Sequence, residues 1–178
     1  MGLNGSNREK EIKLESKLKY SQIVSILTNL LPISTVIKGR STDLYWKSLT
    51  SRADFMRFRT LSEHLGELTV KHTDKSSKAD RLEIDVTVSE PKKIKEVLTR
   101  ALGAHIGSIH KIYTVFLIDE KGSNVSVYNI PKEKRTFIEI EATNQKLVKK
   151  LYNIIKNDIK HDIINTDLFT LFLKRNKK

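Results

Sequence analysis

Apolar and polar residues alternate along eight short segments of the chain, which is the pattern of β-strands with one apolar and one polar face. The apolar positions include Met56, Phe58, Leu68, Val70, Leu82, Ile84, Val86, Ile138 and Ile140. The polar positions are Glu9, Glu11, Lys13, Arg57, Arg59, Lys71, Arg81, Glu83, Asp85, Lys111, Asn129, Glu139 and Glu141. We therefore predict a sheet that packs its apolar face outward onto helices and keeps its charged face inside.

Helices are predicted where apolar residues recur every three or four positions. Three such stripes begin at Ile23, Ile94 and Leu147. Their boundaries are Pro32 after the first helix, Pro91 and Gly103 around the second, and Thr143 and Asn144 as cap candidates before the third. The apolar residues of segment 162–173 predict a last helix.

The strands and helices together predict an α+β fold in which eight antiparallel strands close into a barrel and the helices pack outside it. A barrel of eight strands is wide enough to hold a ligand. Residues 119–124 are the predicted turn of a hairpin around Gly122. The 178 residues fit one domain, which we place at 8–173, after a flexible leader at 1–7 and before a basic tail at 174–178.

The predicted interior contains six cationic residues and six carboxylates. Charges are costly to bury unless they pair, stay hydrated or meet a ligand. Carboxylate oxygens bind hard cations such as Mg²⁺ or Mn²⁺, whereas Arg and Lys bind phosphate oxygens. The lining therefore predicts that the ligand is a metal polyphosphate.

Six segments resemble, in the same order along the chain, the strand motifs of the CYTH superfamily, the triphosphate tunnel metalloenzymes. They are Glu9-Lys10-Glu11-Ile12-Lys13 (ExExK), Asp43-Leu44-Tyr45-Trp46 (Asp-x-Tyr-aromatic), Arg57-Phe58-Arg59 (RxR), Leu68-Thr69-Val70-Lys71 (a single lysine), Arg81-Leu82-Glu83-Ile84-Asp85 (RxExE) and Phe137-Ile138-Glu139-Ile140-Glu141 (FxExE). The resemblance runs from about residue 8 to 142. It implies a tunnel-shaped barrel and metal-dependent chemistry on a triphosphate.

The lining and this resemblance give each charged residue an expected role. The expected metal ligands are Glu9, Glu11, Glu139 and Glu141, with Glu83 and Asp85 as further ligands or as groups that position the cations. The expected phosphate contacts are Lys13, Arg57, Arg59, Lys71, Arg81 and Lys111. The residues expected to be catalytic are Glu9, Glu11, Lys13 and Lys111.

Two positions depart from the family's pattern. Asn129 stands where the family usually has an aspartate, eight residues before the phenylalanine of FxExE. Lys111 is followed by Ile112 and Tyr113, where the family often continues with an arginine. An amide oxygen ligates a cation weakly and adds no negative charge, so a second metal position and full activity depend on the role of Asn129.

The sequence leaves the reaction open. A water aimed at the terminal phosphorus gives a triphosphatase, whereas a ribose 3′-hydroxyl aimed at the α-phosphorus gives a cyclic nucleotide, as in class IV adenylyl cyclases. The partner is a nucleoside triphosphate or another organic or inorganic triphosphate. The alternatives are a catalytically weak nucleotide- or polyphosphate-binding module, motivated by Asn129, and an RNA 5′-triphosphatase, motivated by the net charge of +12.

The absence of cysteine excludes disulfides, thiolate metal sites and a cysteine nucleophile. The chain also lacks an apolar run of about 18 residues that would span a membrane and an apolar signal core at its start, so we expect a cytoplasmic protein. Residues 1–6 match the N-myristoylation pattern, although a start rich in Gly, Ser and Asn is also typical of a disordered leader or a cloning remnant.

Overall fold

The computed structural model describes residues 10–47, 55–73, 81–118 and 122–173, and only the backbone of 71–73, 81–83 and 173. The described strands are β1 Lys10–Ser16, β2 Ile33–Lys47, β3 Phe55–Thr60, β4 Leu65–Thr73, β5 Arg81–Ser89, β6 Gly107–Ile118, β7 Ser123–Ile130, β8 Arg135–Ala142 and β9 His161–Ile164. The described α-helices are α1 Tyr20–Leu30, α2 Pro91–Leu102 and α3 Gln145–Ile155. A 3₁₀ turn at Pro131–Glu133 follows β7, and a π-helical turn at Phe169–Leu173 follows β9.

The nine described strands form one mostly antiparallel sheet with the order β5-β4-β3-β2-β6-β7-β8-β1-β9. The predicted α+β class is therefore confirmed. The number of strands differs from the predicted eight because β9 pairs with β1. Hydrogen bonds among the described strands leave β5 and β9 as the edges of the sheet, so they do not show the closed barrel that the sequence predicts.

The three internal helices lie where the sequence predicts them. The second helix begins at Pro91 and is followed by Gly103, whose φ of 80° is a left-handed conformation that favours glycine. The third helix is capped by Asn144, whose Oδ1 accepts a hydrogen bond from Leu147 N at 2.9 Å. None of the helices in the described ranges is long and apolar enough to cross a membrane.

The predicted last helix over 162–173 is wrong. Residues 161–164 form β9, in which Ile163 is opposite Leu14 of β1. Only the end of the segment is helical, where it forms the π-helical turn Phe169–Leu173. The backbone of β9 finds its hydrogen-bond partners on β1, far away in sequence, so the apolar residues of the segment could not reveal this pairing.

The described residues group into two compact units. The first unit contains residues 41–109 and 166–173, and the second contains residues 10–40 and 110–165. Strands β3, β4 and β5 and helix α2 belong to the first unit; β1, β7, β8 and β9 and helices α1 and α3 belong to the second. Strands β2 and β6 contribute residues to both.

Each unit packs the apolar side of its strands against helices. In the second unit the core contains Leu14, Ile23, Leu27, Phe116, Val125, Val127, Ile138, Ile140, Val148, Leu151 and Ile155, from the strands and from α1 and α3. In the first unit one core cluster contains Leu44, Trp46 and Phe58, and α2 packs on it through Ile94, Leu98 and Leu102. The predicted packing of apolar strand faces onto helices is confirmed within each unit.

Candidate functional site

The polar side of the first unit carries two arginines of β3 between acidic residues of β2 and β4. Residues directly opposite each other in an antiparallel pair point to the same face. Arg59 is opposite Asp43 on β2 and opposite Glu67 on β4. We call this side the arginine face; its described side chains are Asp43, Tyr45, Arg57, Arg59, Glu67, Thr69 and Asp85.

Arg59 forms a two-pronged ion pair with Asp43. Its Nε donates to Asp43 Oδ1 at 2.9 Å and its Nη2 donates to Oδ2 at 3.2 Å, and the Asp43 side chain is 0 % exposed. Burial alone lowers the pKa of Arg59, but the charge and hydrogen bonds of Asp43, with the charge of Glu67, raise it above its ordinary value. The guanidinium is therefore permanently charged and fixed in orientation.

Arg57 shares a carboxylate with Arg59. Arg57 Nη2 donates to Glu67 Oε1 at 3.0 Å and to Thr69 Oγ1 at 2.7 Å, and Arg59 Nη1 donates to the same Glu67 oxygen at 3.3 Å. Thr69 Oγ1 donates in turn to Asp85 Oδ1 at 2.5 Å. Glu67 thus holds two guanidinium groups next to each other, an arrangement that suits the oxygens of phosphate groups.

Aromatic rings border the arginine face. The buried hydroxyl of Tyr45 donates to Asp43 Oδ2 at 3.4 Å. Burial raises the pKa of Tyr45 well above its ordinary value, and the charge of Asp43 raises it further while the two arginines oppose this. The Tyr45 ring lies 5.4 Å from Phe55 and 5.6 Å from Phe169, between ring centroids. The π-helical turn therefore packs one of its side chains against this border.

The second unit has its own charged side, on strands β1, β6, β7 and β8. Lys13 of β1 and Ser126 of β7 are both opposite Glu139, and Tyr113 of β6 is opposite Tyr128. We call this side the lysine face; its described residues include Glu11, Lys13, Lys111, Tyr113, Asn124, Ser126, Tyr128, Glu139 and Glu141.

One oxygen of Glu139 receives two donors. Lys13 Nζ lies 2.7 Å from Glu139 Oε1, and the hydroxyl of Tyr128 donates to the same oxygen at 3.0 Å. Lys13 is only 5 % exposed, so this ion pair is largely removed from water. Lys111 Nζ lies 5.2 Å from the centroid of the Tyr128 ring, within the range of a cation–π contact. The four side chains form one connected group.

Glu141 is held by an amide on the neighbouring strand. Asn124 Nδ2 donates to Glu141 Oε2 at 3.0 Å, and Ser126 Oγ donates to Asn124 Oδ1 at 3.1 Å. Glu11 is opposite Glu141 in the ladder between β1 and β8. Like charges in opposite positions of a sheet are unfavourable, and a bound cation would relieve their repulsion.

Asn129 lies on the other side of the sheet. It is opposite Thr136 and alternates along β7 with Val125 and Val127, which belong to the hydrophobic core. Its Nδ2 donates to the backbone oxygen of Arg135 at 3.0 Å and to Thr136 Oγ1 at 3.2 Å. The prediction that Asn129 lines the charged face is therefore wrong, because the even-numbered residues of β7 occupy that face.

Four of the predicted site residues fall wholly or partly outside the description. Glu9 lies outside the described residues, and nothing is described of the side chains of Lys71, Arg81 and Glu83. The backbone ladder between β4 and β5 places Lys71 opposite Glu83. Apart from Asn129, the remaining predicted residues lie on two faces: Arg57, Arg59 and Asp85 on the arginine face, and Glu11, Lys13, Lys111, Glu139 and Glu141 on the lysine face.

The described residues offer oxygen ligands without forming a complete metal site. Within the described ranges, no three Asp, Glu or His side chains come close enough together to hold a metal ion. Glu11, Glu139 and Glu141 nevertheless share the lysine face, and carboxylate oxygens are the ligands that Mg²⁺ and Mn²⁺ prefer. The donor chemistry of this face therefore fits the predicted cation.

The residues that hold the charged groups in place have no role in the sequence prediction; they are Asp43, Glu67, Thr69, Asn124, Ser126 and Tyr128. Glu67 and Thr69 stand four and two residues before Lys71, so strand alternation within β4 could have found them. On β7, Asn124, Ser126 and Tyr128 alternate with Val125 and Val127, so the same rule could have found them.

No protein-family model and no curated protein matches the sequence. Solved structures do match. A Pyrococcus horikoshii protein has a TM-score of 0.69 at 21% identity, over 94% of this chain and 99% of that one. A proposed adenylyl cyclase from Hippeastrum, described as having a dominant triphosphatase activity, has a TM-score of 0.68 at 16% identity, over 96% and 97%. A proposed adenylate cyclase from Bacillus halodurans has a TM-score of 0.62 at 16% identity, over 93% and 96%.

These matches show that the chain shares its fold with these three proteins. The chain spans almost the full length of each of the three structures. The fold that carries the arginine face and the lysine face is thus the fold of proteins described as proposed adenylyl cyclases, one of them with triphosphatase activity.

Proposed function

We propose that this chain is a metal-dependent enzyme that binds a triphosphate and hydrolyses it. The observation that carries the proposal is the pair of guanidinium groups on the arginine face, where Glu67 Oε1 bonds to both Arg57 and Arg59. Arg side chains with fixed forks are the groups that proteins use to bind phosphate oxygens. The lysine face has carboxylates that would supply the ligands for a divalent cation.

In this proposal the residues of the two faces have separate tasks. Arg57 and Arg59 bind and orient the phosphate groups, with Lys13, Lys111, Lys71 and Arg81 as further contacts. Glu9, Glu11, Glu139 and Glu141 hold Mg²⁺ or Mn²⁺. When bound, such a cation neutralises charge on the transferred phosphoryl group and lowers the pKa of an attacking water. A closed tunnel around the ligand is part of the proposal.

Hydrolysis is favoured over cyclisation by one comparison. The Hippeastrum protein is described as having a dominant triphosphatase activity although it was proposed to be an adenylyl cyclase. Both reactions need the same contacts with the phosphates. They differ in the attacking group, which is a water in hydrolysis and the ribose 3′-hydroxyl in cyclisation. Cyclisation of a nucleoside triphosphate is therefore the second form of this proposal.

The test is product analysis with ATP, GTP, thiamine triphosphate, tripolyphosphate and RNA with a 5′-triphosphate, each with Mg²⁺ and with Mn²⁺. Release of orthophosphate that requires the cation supports hydrolysis, whereas a cyclic nucleotide with pyrophosphate supports cyclisation. Binding without turnover would point to the catalytically weak binding module. The absence of both binding and turnover for every ligand would overturn the proposal.

Two variants and one salt titration sharpen this test. Arg57→Ala should weaken binding of every triphosphate, whereas Arg100→Ala should not, because Arg100 is exposed on α2 and pairs with Glu96. Strong salt dependence with long RNA but not with nucleotides would favour the RNA 5′-triphosphatase. Asn129 no longer supports the weak binding module, because it does not lie on the charged face.

A further inference from the structure

Glu139 of the lysine face has two donors of different kinds on the same oxygen. Lys13 Nζ is 2.7 Å from Oε1 and carries a positive charge. The hydroxyl of Tyr128, 3.0 Å from Oε1, carries none. A divalent cation that used this carboxylate would be repelled by the ammonium group and not by the hydroxyl. The consequences that follow rest on the proposed metal-dependent function.

The ion pair between Lys13 and Glu139 opposes binding of a cation by itself. Lys13 is 5 % exposed, and removing one partner from a buried pair leaves the other charge without compensation. A triphosphate changes this balance. Its oxygens can accept hydrogen bonds from the ammonium group of Lys13 when the cation displaces that group from Glu139. The two ligands are then expected to bind more tightly together than either does separately.

Tyr128 is suited to remain in place during such an exchange. Its ring stacks on that of Phe137, with centroids 5.4 Å apart and planes 21° apart. Lys111 Nζ lies 5.2 Å from the centroid of the same ring. A ring held in this way keeps its hydroxyl directed at Glu139 when Lys13 moves.

We propose that Lys13 occupies Glu139 in the metal-free protein and leaves it when a divalent cation and a triphosphate bind, whereas Tyr128 is a positioning residue that keeps Glu139 oriented. Lys13 therefore competes with the cation and contributes to binding of the phosphate. Tyr128 contributes to binding of the cation through the carboxylate and does not touch the phosphate.

Direct binding of Mn²⁺, measured by electron paramagnetic resonance without triphosphate, separates the two roles. Lys13→Met should bind Mn²⁺ more tightly than the wild type, by about tenfold, since coupling between sites commonly changes affinity 5- to 150-fold. Tyr128→Phe should bind it more weakly, by about tenfold, as is usual when a group that orients a metal ligand is lost. A purely structural role would shift both variants in the same direction.

Tyr113→Phe is the matched control, because Tyr113 lies opposite Tyr128 on the same face. Its Mn²⁺ affinity should equal that of the wild type. Circular dichroism reports whether each variant folds, and Lys13→Gln replaces Lys13→Met if the latter does not. Mn²⁺ binding to the lysine variants that is no tighter than in the wild type overturns the competition, and unchanged binding to Tyr128→Phe overturns the positioning role.

A further measurement distinguishes failure of this inference from failure of the proposed function. Thermal stability of the wild type is measured with Mn²⁺ and tripolyphosphate together. If the two ligands do not stabilise the protein and Mn²⁺ binds to no variant, the proposed function fails and this inference fails with it. If they stabilise it while the variants behave like the wild type, only the inference about Lys13 and Tyr128 is wrong.

Discussion

The arginine face and the lysine face hold their cations in different ways. Arg59 is fixed by two hydrogen bonds to the buried carboxylate of Asp43 and by a third to Glu67, which also holds Arg57. The ammonium group of Lys13 pairs with Glu139, with Nζ 2.7 Å from Oε1. A guanidinium is a planar fork whose direction can be locked, whereas an ammonium is a point charge that changes partners easily.

This difference assigns separate tasks to the two faces. A locked pair of guanidinium groups is already arranged for an anion, so little ordering is needed when a phosphate binds. If Glu139 binds a metal ion as we propose, the lysine paired with it can instead respond to the ligands that bind. The comparison therefore predicts that variants of the arginine face affect stability and affinity directly, whereas variants of the lysine face affect how two ligands depend on each other.

The apolar sides of the units differ as well. Among the described residues, the second unit buries a large core against α1 and α3, whereas the cluster beneath α2 in the first unit is smaller and contains Leu44, Trp46 and Phe58. On β5, Ile84 and Val86 remain 52% and 50% exposed. With a smaller apolar cluster beneath its helix, the first unit should depend more on its polar network for stability.

The largest effect is expected for Arg59→Met. The substitution leaves the carboxylate of Asp43, which is 0 % exposed, without its guanidinium. Breaking a buried pair in this way costs about 3 to 5 kcal/mol, and we expect the lower end because Arg59 itself is partly exposed. Urea denaturation of the variant measures the loss in free energy of unfolding.

The double variant Asp43→Asn with Arg59→Met is the control for that loss. It removes the buried negative charge together with its partner, so it should recover a substantial part of the stability. Equal stability of the single and double variants would show that packing of the Arg59 side chain matters and that the charge of Asp43 does not.

A smaller effect, on binding, is expected for Arg57→Ala. Hydrogen bonds to charged groups are worth about 1.5 to 3 kcal/mol. Calorimetry should show that the substitution weakens the binding free energy of tripolyphosphate by about that amount. Lys13→Met should lose less affinity for tripolyphosphate without metal, because in the metal-free protein the ammonium group stays paired with Glu139 and contributes little to phosphate binding. A larger loss for Lys13→Met than for Arg57→Ala would reverse the comparison between the faces.

The sequence predicted the parts of this fold that depend on neighbours along the chain. The internal helices follow from local signals, such as Pro91 and Gly103 around α2 and Asn144 before α3. Strand β9 depends on hydrogen bonds to β1, more than a hundred residues away. The alternation of charge correctly predicts that Arg57, Arg59, Lys13 and Lys111 lie on polar faces, because strand geometry alone fixes that property.

The sequence could not show which carboxylate holds which cation. The bond from Arg59 to Asp43 joins β3 to β2, and the bond from Lys13 to Glu139 joins β1 to β8, so both depend on strand pairing. The error at Asn129 had another cause. Its position was taken from its distance to a motif on the next strand, although the valines beside it on β7 indicated the opposite face.

Because Asn129 lies on the other side of the sheet from Asn124, aspartate substitutions at these two positions should respond differently to metal. Asn129→Asp should not raise metal affinity, and it should destabilise the protein by about 1 kcal/mol because a carboxylate cannot donate to the backbone oxygen of Arg135. Asn124→Asp instead places a second carboxylate beside Glu141. That variant should lose thermal stability without metal and recover it with Mn²⁺. The opposite behaviour of the two variants in thermal melts would show that Asn129 faces the ligand.

The smallest effect concerns Tyr45 and appears only at high pH. Burial and Asp43 raise its pKa in the folded protein above the ordinary value of 10.0, so the folded state keeps a proton that the unfolded state loses. Stability from this proton is complete below pH 10 and decreases as the pH rises above it. Between pH 9 and about 10.5, the wild type should lose on the order of 1 kcal/mol more than Tyr45→Phe, which has no proton to release. Equal losses in urea denaturation would mean that Tyr45 ionises in the folded protein as easily as in the unfolded chain, and the arginine face would then be more open to water at this border than its buried position indicates.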